Sequence, residues 1–164
     1  MSDEQDKREL TALQAALAAE HAAVYGYGVV GGRIREGRRT EAKAAYDAHR
    51  ARRDTLVRAV RDLGGKPVAA AAGYALPFPV PDSEAAVRLA GELEERVAGV
   101  YSDLVRATVD GRRAMAAEAL REAAVRAVRW RGESVAFPGL AERAATTSNT
   151  SASPTSATSA TPTA

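Results

Sequence analysis

The chain contains no cysteine. Disulfides and thiolate metal sites are therefore excluded. Aromatic residues make up only 5% of it, while alanine, leucine, valine, arginine and glutamate dominate, a composition that reads as all-helical. No uninterrupted apolar run is long enough to cross a bilayer. Charge of one sign is not in surplus either: 23 Lys and Arg stand against 21 Asp and Glu, for a net charge of +2. Attraction to a polyanion needs a clustered excess, so nucleic acid is not an expected partner. The start, Met1 to Asp6, is acidic and polar. It lacks a basic stretch leading into an apolar run, so no signal peptide is expected, and a soluble cytoplasmic protein is the default. Histidine is scarce: His21 and His49 are the only two.

What is present is helical spacing. From about Glu4 to about Glu36 the apolar residues Leu10, Leu13, Leu17, Val24, Gly28 and Gly31 recur at intervals of three and four. Continuing that alternation through the gap between Leu17 and Val24 brings Glu20 and His21 to the edge of the seam. Burying a carboxylate is costly unless it is paired, ligated or protonated. Gly26, Gly28, Gly31 and Gly32 weaken this helix, at roughly 1 kcal/mol each against alanine. That cost is tolerable where a neighbouring helix comes close. The alternative is a kink or an end at Gly31-Gly32.

After a turn at Gly37 to Thr40, a second helix is expected from Glu41 to about Leu63, with Thr40 as its N-cap. Its seam reads Ala42, Ala45, His49, Leu56, Val60 and Leu63, with Arg52 and Arg53 flanking it. Gly64-Gly65 ends it. The segment to Pro81 contains Pro67, Pro77, Pro79 and Pro81 and is not helical. It is long for a connection in a compact domain. Extended, its ~18 residues reach ~55–60 Å, more than the ~35 Å length of the preceding helix. It can climb the whole bundle and start the next helix at the opposite end.

Asp82-Ser83 caps a third helix from Glu84 to about Val109, with the stripe Ala86, Leu89, Ala90, Leu93, Val97, Val100, Tyr101 and Leu104. Glu94 falls at its border, while Glu92 and Glu95 point away. Asp110-Gly111 turns into a fourth helix ending near Arg131. Its inward face is read as Ala117, Leu120, Ala124, Ala127 and Val128, with Glu118 and Glu122 outward. Trp130 and Phe137 to Leu140 are expected to close the base of the bundle. The domain is expected to span 1–145. Residues 146–164 are uncharged Ser, Thr, Ala, Pro and Asn, which cannot build a core and should be disordered.

Two helical hairpins joined by a long crossover is the connectivity of a ferritin-like four-helix bundle, and that all-α fold is the expectation. Several stretches then resemble a ferritin-like domain-of-unknown-function family found in actinobacteria. They are Leu17 to Gly28, His49 to Asp54, Tyr74 to Pro77, Leu93 to Tyr101 and Phe137 to Leu140. The resemblance covers roughly Leu10 to Leu140. It implies the fold and carries no activity, because that family has none assigned.

A ferritin-like di-metal centre takes one glutamate from each of two helices and a Glu-x-x-His pair from each of the other two. This sequence offers Glu20, His49 and Glu94 as metal ligands, with His21 as a spare. Tyr46 stands where a carboxylate should precede His49, and the fourth helix offers nothing. That set suits at most one ion, iron or manganese by its hard oxygens and imidazole. The favoured reading is a buried polar cluster of Glu20, His21, His49, Arg52, Arg53, Glu94 and Tyr101. In it the guanidinium groups satisfy the glutamates and no cofactor is needed. Tyr25, Tyr27, Tyr46 and Tyr101 read first as core, with hydroxyls available to the cluster. Arg50, Arg58 and Arg61 on the outer face of the second helix read as a solvated face. A protein partner or a homodimer is conceivable there or on another helix face.

Overall fold

A computed structural model of the chain describes residues 3–132. The expectations for Phe137 to Leu140 and for the 146–164 tail lie outside these residues. Every element among the described residues is helical: α1 (Asp3–Arg33), a short 3-10 turn (Glu36–Arg38), α2 (Arg39–Asp62), α3 (Ser83–Ala107) and α4 (Asp110–Arg131). No helix among them is long and apolar enough to cross a membrane.

Contacts between the helices fix their directions. On α1, Glu20 meets His49 of α2, while Leu10 lies beside Gly65 just past the end of α2. α1 and α2 are therefore antiparallel. Tyr27 meets Glu94 and Glu20 meets Tyr101, so α1 and α3 are antiparallel too. Helices α2 and α3 must then run parallel, as the crossover requires. The crossover starts where Gly65 packs on Leu10. Gln14 holds it by accepting from the Val68 amide and donating to the Lys66 carbonyl. It passes Tyr25, whose ring lies 5.5 Å from that of Tyr74. It ends where the Ser83 hydroxyl accepts from the Arg35 amide. It thus travels the length of α1.

Local chemistry sets the helix ends. Gly64 adopts a φ of 74°, and the Gly65 amide reaches back to the Val60 carbonyl, the left-handed stop that glycine permits. Asp82 caps α3 through its carboxylate, which accepts from the Ala85 amide at 2.9 Å. At α2 the expectation fails. The helix begins at Arg39, before Thr40, and its N-cap residue Arg38 makes no side-chain cap bond. Likewise α1 stops at Arg33, short of Glu36.

The seams of α2 and α3 are largely as expected, with Leu63 and Val100 only half-buried. Those of α1 and α4 are not. The buried side of α1 is Glu9, Leu13, Ala16, Leu17, Glu20, Ala23, Gly26, Tyr27 and Val30. Gly28 and Gly31 face solvent and Val24 is half-buried. α4 buries Ala116, Ala119, Ala123, Ala127 and Trp130, whereas Ala117 is exposed and Leu120, Ala124 and Val128 are half-buried. Both helices are rich in alanine or glycine, so each has several faces apolar enough to pack. Tertiary fit chose among them. Close approach does occur at one α1 glycine: a Cβ on Gly26 would lie 2.6 Å from the Leu93 side chain.

Two apolar clusters fill the interior. One gathers Leu13, Leu17, Leu56, Val60, Val97 and Leu104, the other Val30, Ile34, Ala42, Ala86, Leu89 and Trp130. Between them lies a polar layer.

Candidate functional site

Three helices supply the core of that layer. Glu20 sits on the buried stripe of α1, seven residues before Tyr27 and so on the same face. His49 is on the centre of the α2 seam, and Glu94 is on α3. All three are fully buried. Nδ1 of His49 lies 2.7 Å from Glu20 Oε2, and Nε2 lies 3.2 Å from Glu94 Oε1. The imidazole therefore bridges two carboxylates from its two edges. With both carboxylates ionised their oxygens only accept, so both ring nitrogens donate and His49 is an imidazolium. Burial alone would lower its pKa. The hydrogen bonds and charges of Glu20 and Glu94 outweigh that and push it up to about 9.

Tyrosine hydroxyls complete the network. Tyr101 donates to Glu20 Oε1 at 2.7 Å, and Tyr27 donates to Glu94 Oε1 at 2.6 Å. Trp130 Nε1 donates to the Tyr27 oxygen at 2.9 Å. The Tyr27 ring stacks on His49 with centroids 5.1 Å apart. Burial, reinforced by the neighbouring carboxylate, raises the pKa of both phenols. They stay protonated and donating.

The guanidinium of the cluster comes from α4. Arg126 Nε donates to Glu94 Oε1 at 2.9 Å. Arg126 also stands 3.7 Å from Glu122, which binds Arg52 at 3.0 Å. A ladder of charges thus runs from the buried layer out to the α2–α4 seam.

Of the residues singled out from the sequence, Glu20, His49, Glu94 and Tyr101 are brought together. His21, Arg52 and Arg53 are not. His21 is half-buried and its Nε2 lies 3.1 Å from the Val68 carbonyl on the crossover. It is adjacent to Glu20 in sequence and so lies about 100° around the helix, off the core face. Arg52 turns to Glu122 and Glu118 of α4, and Arg53 to its neighbour Asp54. Glu20 meets His49, two turns before Leu56 on the α2 seam. Glu94 lies inside the stripe, not at its border. Glu92 and Glu95 are half-buried and hold Arg131.

The sequence reading missed Arg126 and the direct roles of Tyr27 and Trp130. A signal existed for each. Tyr27 repeats the Glu20 face two turns on. Reading back from Trp130 in steps of three and four gives Ala127, Ala123, Ala119 and Ala116, the face that α4 buries. With that rotation Arg126 borders the core.

A di-metal centre does not fit these residues. The two glutamates approach opposite edges of one imidazole and do not converge on a point, and Arg126 already places a cation on Glu94. Among the described residues, no group of three or more His, Cys, Asp or Glu is arranged to hold a metal ion. One atom is left over: Glu94 Oε2 is buried without a hydrogen-bond partner.

The bundle and its carboxylate layer define a ferritin-like protein. Residues 12–142 match the family described as "Domain of unknown function (DUF4439)", and the chain belongs to that family. It is similar to a conserved hypothetical protein from Mycobacterium tuberculosis. The identity is 37%, the TM-score 0.74, and the match covers 79% of this chain and 97% of that one. It also shares its fold with a ferritin-like, diiron-carboxylate protein from Bacillus anthracis str. Ames. There the identity is 15% and the TM-score 0.56, with 80% of this chain and 93% of that one covered. No functionally curated protein matches the sequence.

Proposed function

We propose that this protein is a non-catalytic ferritin-like bundle whose buried Glu/His/Tyr/Arg layer serves structure. On that reading its biological role is binding, to another protein or to a second copy of itself. A cytoplasmic setting belongs to the same reading, and no helix among the described residues is long and apolar enough to cross a membrane. One observation carries the reading: His49 bridges Glu20 and Glu94 in a layer closed by Tyr27, Tyr101 and Arg126. Formal charges in that layer balance, with two carboxylates against one imidazolium and one guanidinium. A divalent cation would leave two buried positive charges in excess.

A second reading is a degenerate metalloprotein that holds a single iron or manganese ion on Glu20, His49 and Glu94. The unpartnered Glu94 Oε2 favours it. It requires one edge of the His49 ring to lose its proton and its carboxylate.

Elemental analysis of protein purified without chelator separates the two, together with melts of Glu20→Gln. The structural reading expects substoichiometric iron and manganese, and an apo Glu20→Gln variant destabilised by roughly 3–5 kcal/mol, as for a buried pair broken on one side. Glu20→Leu combined with His49→Leu should recover much of that loss. Stoichiometric metal, or an apo Glu20→Gln variant melting at or above wild type, would replace the structural reading with the metal one.

A further inference from the structure

Beneath the crossover, α1 and α3 leave a groove that takes no part in the buried layer. Ala19, Ala22 and Gly26 floor it from α1, and Leu93, Val97 and Val100 wall it from α3. The crossover residues Tyr74 to Pro77 form its rim. It encloses about 260 Å³ and its lining is mainly apolar. Small residues keep it open: the floor carries only methyl groups or hydrogen, while Leu93 already lies against Gly26. Sites for drug-sized ligands run ~300–1,000 Å³, and a helix with its side chains is ~10–12 Å across. The groove is too small for either. It fits a single short hydrocarbon chain.

One lining residue is charged. Arg96 of α3 stands at the groove with its side chain exposed. Its Nε donates to Glu92 Oε1 at 3.0 Å, and Glu92 is its one carboxylate partner among the described residues. A guanidinium carries several further N–H donors, so most of those on Arg96 remain open. Glu92 has a second cation in Arg131, 3.8 Å from its other oxygen. Arg96 can therefore turn to an incoming anion without leaving Glu92 unpaired. A guanidinium with one nitrogen already committed matches a planar, singly charged carboxylate. Apolar floor and cationic mouth together are complementary to an amphiphile with one anionic end.

We propose that this groove is a binding site for a short- to medium-chain carboxylate, with the alkyl chain against Ala19, Ala22 and Val97 and the head group on Arg96. The site is separate from the Glu20–His49–Glu94 layer. It adds a small ligand to the binding role proposed above and does not depend on how that layer is charged.

Calorimetric titration of the full chain with butanoate, hexanoate, octanoate and dodecanoate tests this. One site per chain is expected, tightening about fourfold for each methylene covered and levelling off before dodecanoate. Octanoate should bind about fivefold tighter than octanol, as one exposed charge pair provides. Arg96→Met keeps the apolar stem and should erase that preference. Ala22→Leu fills the floor and should abolish octanoate binding, while its melting temperature stays at or above that of wild type. No saturable octanoate binding in the millimolar range overturns the proposal. So does octanol binding as tightly as octanoate, or undiminished octanoate binding by Ala22→Leu. A gain per methylene that continues undiminished through dodecanoate overturns it too, because a groove of this size must fill. If Ala22→Leu melts low, Arg96→Met decides alone: an unchanged preference for octanoate over octanol overturns the assignment.

Discussion

Raising the pH should unlock the buried layer at one residue, His49. Glu20 and Tyr27 from α1 and Glu94 from α3 meet its ring, and behind them Tyr101 of α3 binds Glu20 and Arg126 of α4 binds Glu94. Both ring nitrogens are committed as donors, so the neutral imidazole would set a lone pair against a carboxylate oxygen. In the unfolded chain His49 titrates at its ordinary value of 6.5, and in the folded protein at about 9. A folded pKa raised in this way contributes stability that is fully present below pH 6.5. It is lost as pH rises through about 9. Each tenfold gain in proton affinity is worth about 1.36 kcal/mol. The loss across the window is therefore on the order of 3 kcal/mol, a large part of the 5–15 kcal/mol typical of a domain. Urea unfolding at intervals between pH 6 and 10 measures it directly. His21→Gln removes the other histidine and should keep the same curve. The Glu20→Leu/His49→Leu double variant should lose the alkaline decline. A wild-type stability that is flat from pH 6.5 to 9, or a decline that persists in the double variant, would refute the imidazolium bridge.

Three further pairs of variants test individual positions. Arg126→Met removes a guanidinium from the fully buried Glu94 and should destabilise the protein by roughly 3 kcal/mol at neutral pH, read from urea midpoints. Arg52→Met, which touches only half-exposed partners, should cost under about 1 kcal/mol. Gly28→Ala meets nothing within 4 Å and should stabilise α1 by about 0.5–1 kcal/mol. Gly26→Ala must displace Leu93 and should forfeit that gain, so a higher melting temperature for the second variant than for the first would contradict the close approach. Asp82→Ala deletes the cap of α3 and should cost about 1 kcal/mol, while Thr40→Ala, at a position that does not cap α2, should cost less.

The parts of the fold that could be read from the sequence are those with contrast. On α2, apolar residues are sparse among arginines and acids, so Ala42, Ala45, His49, Leu56 and Val60 leave one choice of face. The crossover announces itself by four prolines and a length that only a climb along the bundle explains. On α1 and α4, contrast fails. Ala15 to Ala23 and Ala114 to Ala124 present alanine on most faces, and a pattern built on the larger neighbours Val24 and Leu120 rotates each helix by about one residue. A rotation of that size is small for packing but decisive for a site. On α1 it gave His21 equal standing with Glu20 and left Tyr27 among the general core aromatics. On α4 it turned Arg126 out of view, so no residue of this helix stands in the expected cluster. The arginines then assigned to the glutamates, Arg52 and Arg53, were the nearest cations left.

The position of Arg126 explains how such a layer persists in a bundle of this kind. Two glutamates in an apolar interior repel each other and lose their hydration, so they require roughly two positive charges nearby. Ferritin-like carboxylate proteins meet that requirement with metal ions held by ligands from all four helices. Here α4 places no ligand in the layer but a guanidinium, and α2 contributes an imidazole that the two carboxylates themselves hold protonated. The positive charge is covalently part of the chain and is present as soon as the helices pack. On the structural reading proposed above, folding draws on these charges and not on a metal ion. Glu94 shows the limit of the arrangement. Tyr27, His49 and Arg126 all converge on its Oε1, leaving Oε2 buried without a partner. The same three donors fix the carboxylate's orientation, so Oε2 cannot turn to find one without breaking them. The orphaned oxygen is thus a consequence of how tightly its twin is held.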